Sequence, residues 1–263
     1  MTFLKNNKIM QTIRSGGISI GIQIRSRSSL VAELMGFCGF DYLFIEHEHW
    51  IYNEETLESL FRAAQLTGMT PLVRIPSHDP QMISHFLDSG VMGVIVPHVD
   101  TSEQAKMLFE ASKFPPTGHR GASYTSRASQ YGIHCTNEEY MELSNRNTML
   151  IPMIESVEGV NNIEAILDTG INIIRIGLND LRLDMGLRGK KDSKEFNDAV
   201  DHVISCAKKR NVPVGASAKR VEDVFKLVKQ GFTDITYDSD LRIIAKYLPD
   251  DLKRIKEGLE SSC

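Results

Sequence analysis

The chain has 263 residues with both charge signs spread along it and a formal net charge of −4, so one large α/β domain with a substantial core is expected. No basic stripe or polybasic run occurs, which argues against nucleic acid or an anionic membrane surface as a partner. Four scattered cysteines, Cys38, Cys135, Cys206 and Cys263, form no CxxC pair, so a disulfide framework and a structural zinc site are not expected and a reducing cytoplasm fits.

Residues 1–15 are polar and interrupted by Lys and Asn, without the apolar stretch of a signal peptide, and nowhere do about 18 apolar residues run together as a membrane span requires. The first strand is expected at residues 18–24 (ISIGIQI), followed by a helix at 29–36. A second strand at 42–45 precedes a helix at 53–66, and a third at 71–75 precedes one at 80–89. The fourth strand, 93–97 (GVIVP), leads to a helix at 102–112. After a long connection come a fifth strand at 149–154 with a helix at 160–168, and a sixth at 171–176 with helices at 180–186 and 193–210. The seventh strand, 213–216, is followed by a helix at 221–230, and the eighth, 233–237, by a last helix from about residue 240. The strands are apolar nearly throughout, as parallel strands covered on both faces are. Eight βα units in one domain of this size predict a closed (β/α)8 TIM barrel, an α/β fold. A doubly wound sheet is the competing architecture, but no GxGxxG follows the first strand.

The connection at 113–148 is far longer than usual and contains PPTGHRGASYTSRASQYG. Its Arg, Ser and Tyr content predicts a ligand-contacting loop; a disordered insertion is the plain alternative.

Barrel enzymes place their chemistry at the C-terminal ends of the strands. Polar residues gather there: Glu46, His47, Glu48 and His49 after the second strand, Arg74 ending the third, and His98 and Asp100 after the fourth. Glu155 ends the fifth, Asn179 and Asp180 follow the sixth, and Ser217 and Asp238 end the seventh and eighth. Adjacent strands would bring Glu155 and Asp180 together as hard oxygen ligands, which suit Mg2+ or Mn2+. The structural alternatives are a helix cap for Asp180 and a wall salt bridge for Glu155. Arg74 is a candidate clamp for a substrate carboxylate, or else a structural partner of Glu155 or Glu46. His47 and His49 share a face if the strand continues, and such a pair can hold zinc in a hydrolase. The later strands lack the histidines to complete that site, so His49 is expected to act alone as a general base. Asp88 could orient it, or could be an ordinary helix-terminal residue.

The ordered blocks FDYLFIEHEHW, PLVRIPSHDP, LDSGVMGVIVPHVDTSEQA, FPPTGHRGAS, PMIESVEGVNNIEAIL and IGLNDLRLDMG, spread over residues 17–241, resemble the HpcH/HpaI aldolase family of metal-dependent pyruvate aldolases. The resemblance implies a metal on Glu155 and Asp180, an oxo-acid contact from Arg74, and a base at His49 paired with Asp88. Substrate contacts are further expected from Asn179, Arg120 and Ser123, with the loop around Arg120 to Arg127 reaching the second substrate. The substrates would be a 2-oxo acid of pyruvate or oxaloacetate type with an aldehyde or an acyl-CoA. The assembly would be a homo-oligomer, dimer to hexamer, in which subunits exchange the last helix, residues 240–259. Departures fall around the pocket: Glu46 and His47 replace a usual Asp and a small residue, Met153 a usual Gln, and 177–182 reads GLNDLR where GPADLS is common. They leave open a citrate-forming condensation of oxaloacetate with acetyl-CoA for siderophore assembly. A zinc hydrolase built on His47 and His49, and a catalytically silent relative, are the further alternatives.

Overall fold

Eight parallel strands close on themselves in neighbouring order, β1 to β8, in the computed structural model, which describes residues 7–188 and 193–260. In chain order α1 (Lys8–Arg14) precedes β1 (Ser19–Ile24), then come α2 (Ser29–Phe37), β2 (Tyr42–Glu46), α3 (Glu54–Leu66) and β3 (Thr70–Arg74). Next are α4 (Pro80–Asp88), β4 (Gly93–Val96), α5 (Ser102–Ser112), α6 (Asn137–Asn147) and β5 (Met149–Ile154). The rest are α7 (Val157–Asn161), α8 (Ile163–Leu167), β6 (Ile174–Ile176), α9 (Leu178–Asp184), α10 (Lys194–Lys209), β7 (Val214–Ala218), α11 (Val221–Gln230), β8 (Asp234–Ser239) and α12 (Asp240–Glu260). The chain is a (β/α)8 TIM barrel. Among the described residues, no helix is long and apolar enough to cross a membrane. Cys38, Cys135 and Cys206 are free thiols, and Cys263 lies outside the described residues.

Strand residues alternate between two cores, as the period of two requires. Leu43, Ile45, Val73, Val94, Val96, Leu150 and Ile154 face the helices in one large apolar layer. Tyr42, Phe44, Leu72, Ile95, Met149, Ile151 and Met153 fill the barrel lumen. Deep in that lumen Arg175 is fully buried and ion-paired to Asp234. It also donates to Ala216 O at 2.7 Å, Thr236 Oγ1 at 2.6 Å and Tyr42 Oη at 3.2 Å. Gly215 makes room for this pair, because a Cβ there would lie 2.5 Å from Asp234 Oδ2.

Two helices were not expected. α1 is capped by Asn7 and inserts Ile9 into the lumen cluster, with Met10 and Ile13 beside it, closing the base of the barrel. α6 carries a capping box, Thr136 with Glu139, inside what reads as one long connection. The helix expected at 160–168 is two, α7 and α8, beginning three residues early at Val157; the sixth strand is shorter than expected, and α9 after it begins two residues early at Leu178.

α12 packs against β1 and β8 at its start, but Ile244, Leu248, Leu252, Ile255 and Leu259 then form an exposed apolar stripe at helical spacing. Leu30, Leu34 and Phe37 on α2 and Phe225 on α11 are likewise exposed.

Candidate active site

The strand ends place the polar rim. Glu46 ends β2 and lies in register with Arg74 at the end of β3. The Arg74 Nε donates to Glu46 Oε1 at 3.0 Å, its Nη2 pairs with Glu46 Oε2, and Glu48 Oε2 lies 2.9 Å from Nε. Glu48 also stands 3.7 Å from His49 Nε2. Of the alternatives for Arg74, the pairing with Glu46 is therefore made and the one with Glu155 is not. Among the described residues, the one hydrogen-bond partner of its Nη1 is Met153 Sδ, at 3.7 Å. The thioether is a weak acceptor and leaves that nitrogen available to a ligand.

Glu155 is buried just beyond β5. Its Oε1 accepts the His98 backbone N–H at 2.8 Å, and the His98 Nδ1 lies 3.4 Å away. His98 holds this position with a left-handed φ of 50°, a strained state of the kind that collects at functional sites. Gly177 supports the other side: a Cβ there would lie 2.4 Å from Glu155 Oε2. Burial pushes the Glu155 carboxyl above its ordinary range, and the charge of Asp180 pushes the same way against His98 and Arg74. Asp180 is exposed in the first turn of α9. Gly177, not Asp180, occupies the N-cap, so the capping alternative for Asp180 does not apply. Asn179 beside it is exposed as well.

The two histidines diverge in use. His47 packs edge-on to Phe86 at 5.8 Å and against Tyr52 at 6.1 Å, and burial lowers the affinity of its ring for a proton. His49 is largely exposed beside Glu48. Among the described residues no group of three or more His, Cys, Asp or Glu side chains gathers to hold a metal, so the His47–His49 zinc site is not assembled.

Three expected site residues lie elsewhere in the chain. Helices of a barrel run back from the mouth, so Asp88, the last residue of α4, sits at the base, opposite His49. There it accepts Arg120 Nη2 at 2.6 Å. Arg120 is buried, lies over the Phe114 ring at 4.5 Å and donates to Ser144 Oγ at 3.1 Å. Arg127 donates to Ser89 O at 3.1 Å. The 113–136 segment, with Arg120 and Ser123, is thus fastened to the base of its own barrel and does not line its own mouth. One chain brings neither Asp88 to His49 nor Arg120 or Ser123 to Glu155 and Asp180. Conversely, Gln23 and Arg25 reach the rim and were not foreseen, although alternation along β1 past Ile22 and Ile24 marks both as lumen-facing.

Comparison with known proteins places this geometry among relatives. The HpcH/HpaI aldolase/citrate lyase family model matches residues 20–245. A 5-keto-4-deoxy-D-glucarate aldolase of Klebsiella pneumoniae subsp. pneumoniae is 31% identical over 238 residues, 90% of this chain and 92% of that protein. The crystal structure of an HpcH/HpaI aldolase/citrate lyase family protein from Burkholderia cenocepacia superposes with a TM-score of 0.87 at 25% identity, covering 95% of this chain and 99% of that one. That of the citrate synthase SbnG gives 0.85 at 27% identity, covering 95% and 98%.

Proposed function

This chain belongs to the HpcH/HpaI aldolase/citrate lyase family, and from that premise we propose that it makes or breaks a carbon–carbon bond beside the keto group of a 2-oxo acid, with a divalent cation bound by Glu155 and Asp180. The observation that carries this reading is the buried Glu155 carboxylate, laid over Gly177, held by the His98 N–H and facing the charge of Asp180. A cation held by Glu155 and Asp180 would relieve both the burial and the repulsion. Two carboxylates with no thiolate beside them form a hard oxygen donor set that would suit Mg2+ or Mn2+. When bound, the cation supplies Lewis-acid polarisation of the keto oxygen and countercharge for the enolate.

The residues divide the remaining work. Arg74, tied down by Glu46 and Glu48, offers Nη1 to the oxo acid, and Asn179 flanks the same edge. His49, beside Glu48, moves the proton on or off the hydroxyl of the second substrate. The pairing of His49 with Asp88 that the family resemblance implies is open only between copies, because Asp88 lies at the base of its own barrel; it would be met by Asp88 of the partner subunit. The same holds for Arg120 and Ser123 as contacts to the second substrate. The exposed apolar stripe of α12 and the bare faces of α2 and α11 support a homo-oligomer in which copies exchange α12. We place the enzyme in the cytoplasm, where its thiols stay reduced.

The test is deuterium exchange at C3 of pyruvate in D2O with Mn2+ or Mg2+, followed by NMR. Metal-dependent exchange that disappears in Glu155→Gln is expected; exchange that survives chelation or that substitution overturns the reading. The likeness to the citrate synthase SbnG favours one second reading, condensation of oxaloacetate with acetyl-CoA. Release of free thiol from that pair, without pyruvate formation, would select it.

A further inference from the structure

One guanidinium at the mouth has no part in the chemistry above. On β1, Gly21 faces the lumen so closely that a Cβ there would meet the Tyr42 ring at 2.2 Å, and Ile22 and Ile24 pack outward among the helices. Gln23 and then Arg25 therefore fall on the lumen side, Arg25 at the rim.

Arg25 is oriented by its neighbours. Its backbone N–H donates to Asp240 Oδ1 at 2.9 Å, and the Ser26 N–H to Asp240 Oδ2 at 3.0 Å. Its Nε donates to Gln23 Oε1 at 3.1 Å, and the Gln23 Nε2 donates to Glu46 Oε2 at 2.8 Å. Glu46 in turn holds Arg74, so a chain of four side chains crosses the mouth from β1 to β3. The Trp50 ring lies 5.9 Å from the guanidinium carbon.

What the neighbours do not supply is a direct ion pair. Asp240 spends both oxygens on backbone N–H groups, and Glu46 is engaged by Arg74 and Gln23. Among the described residues Arg25 forms no ion pair, and neither Nη has a hydrogen-bond partner. A half-buried guanidinium with Nε tied back and both Nη atoms open presents the fork that grips a carboxylate. It stands just past the end of β1, across Glu46 from Arg74, apart from Glu155 and Asp180, which follow β5 and β6 and address the oxo acid.

We propose that Arg25 binds a carboxylate on the second substrate, so that the enzyme prefers an acceptor aldehyde carrying a negative charge to a neutral one of the same size. This rests on the 2-oxo acid reading above and adds to it the class of the acceptor. The reaction balances without a further reagent. Pyruvate C3 loses one proton, its electron pair forms the bond to the aldehyde carbon, and one proton is added to the aldehyde oxygen.

The experiment uses pyruvate as donor and two acceptors, glyoxylate and glycolaldehyde, which differ in little but the carboxylate. Wild type is expected to favour glyoxylate in kcat/KM. Arg25→Ala should lower the ratio of the two kcat/KM values by about 10- to 100-fold, the range of a charge-assisted hydrogen-bonded pair, chiefly through the KM for glyoxylate. Arg25→Lys should restore part of the ratio, which a purely structural role through Gln23 would not produce. Arg25→Gln serves if the alanine variant does not fold. A wild type without preference for glyoxylate, or variants in which both acceptors suffer equally, overturns the assignment. Deuterium exchange into pyruvate without any acceptor separates the two levels: its absence in wild type removes the enolate reading and this inference with it. Its presence with an unresponsive ratio removes this inference alone.

Discussion

Replacing Gly177 with Ala tests the placement of the Glu155 carboxylate, and with it the proposed cation site, without touching any charged group. The backbone there, φ −79° and ψ 76°, tolerates any L-residue, so the whole effect must come from contact. The new methyl would lie 2.4 Å from Glu155 Oε2, 2.6 Å from its Cβ and 3.2 Å from its Cδ. Ordinary contacts between such carbons are about 3.5–4.0 Å. The carboxylate could swing aside, but the Glu155 Cβ is fixed to the strand, so the ends of β5 and β6 must part by about 1 Å. Overpacking of this size costs about 1–3 kcal/mol, which for a barrel of this length lowers Tm by roughly 2–12 °C. A displacement of about 1 Å at a catalytic group costs turnover on the order of 100-fold. Differential scanning calorimetry, Mn2+ titration calorimetry and pyruvate C3 exchange would be measured on the same preparation. A variant with wild-type Mn2+ affinity and wild-type exchange would refute the reasoning, because Glu155 could not then lie over Gly177.

The fully buried Arg175–Asp234 pair gives a stability prediction: Arg175→Met should cost about 3–5 kcal/mol in urea denaturation by stranding Asp234, and Arg175→Met with Asp234→Leu should recover much of it. Charging the exposed stripe of α12, as in Ile244→Glu with Leu248→Glu, should lower the mass seen by light scattering while leaving the far-ultraviolet circular dichroism of the barrel intact; an unchanged mass excludes α12 from the interface. Lys113 supplies a pH test. Burial, and then the charge of Arg120, hold its amine down to about 8 from an ordinary 10.5. The unfolded chain therefore binds more protons between those values, so folding stability should rise with pH across about 8 to 10.5, and the penalty of about 3 kcal/mol is fully present below about 8. Subtracting the profile of Lys113→Met from that of wild type should isolate this slope, and a flat difference contradicts it.

The barrel was legible because its strands are continuous apolar runs and its helices carry their own start signals, such as Thr101 with Gln104 in a capping box. α6 bears the same signal, Thr136 with Glu139, but its weakly apolar sequence hides the packing face, and the Arg- and Ser-rich stretch before it drew attention instead. α1 escaped because only Ile9, Met10 and Ile13 mark its inner face among Lys, Asn and Gln. At the site, position along the chain was enough to put Glu155, Asp180, Arg74 and His49 on one rim, since each closely follows or ends a strand. It could not tell which carboxylate Arg74 would choose, because Glu46 in register and Glu155 farther round are equivalent in a linear pattern. Nor could it tell that Asp88 and Arg120 meet at the base, a contact set by where the return helix ends.

The α1 helix beneath the lumen has a kinetic consequence. Among the described residues, Ile9 is wedged under the stave interior and Arg175 and Asp234 fill the space above, so the vessel has a floor and the rim bearing Glu155 is its doorway. Two reactants that share one doorway queue: whichever binds deeper must arrive first and depart last. Initial-rate patterns for this protein should therefore be those of compulsory order, with the molecule seated nearest Glu155 leading.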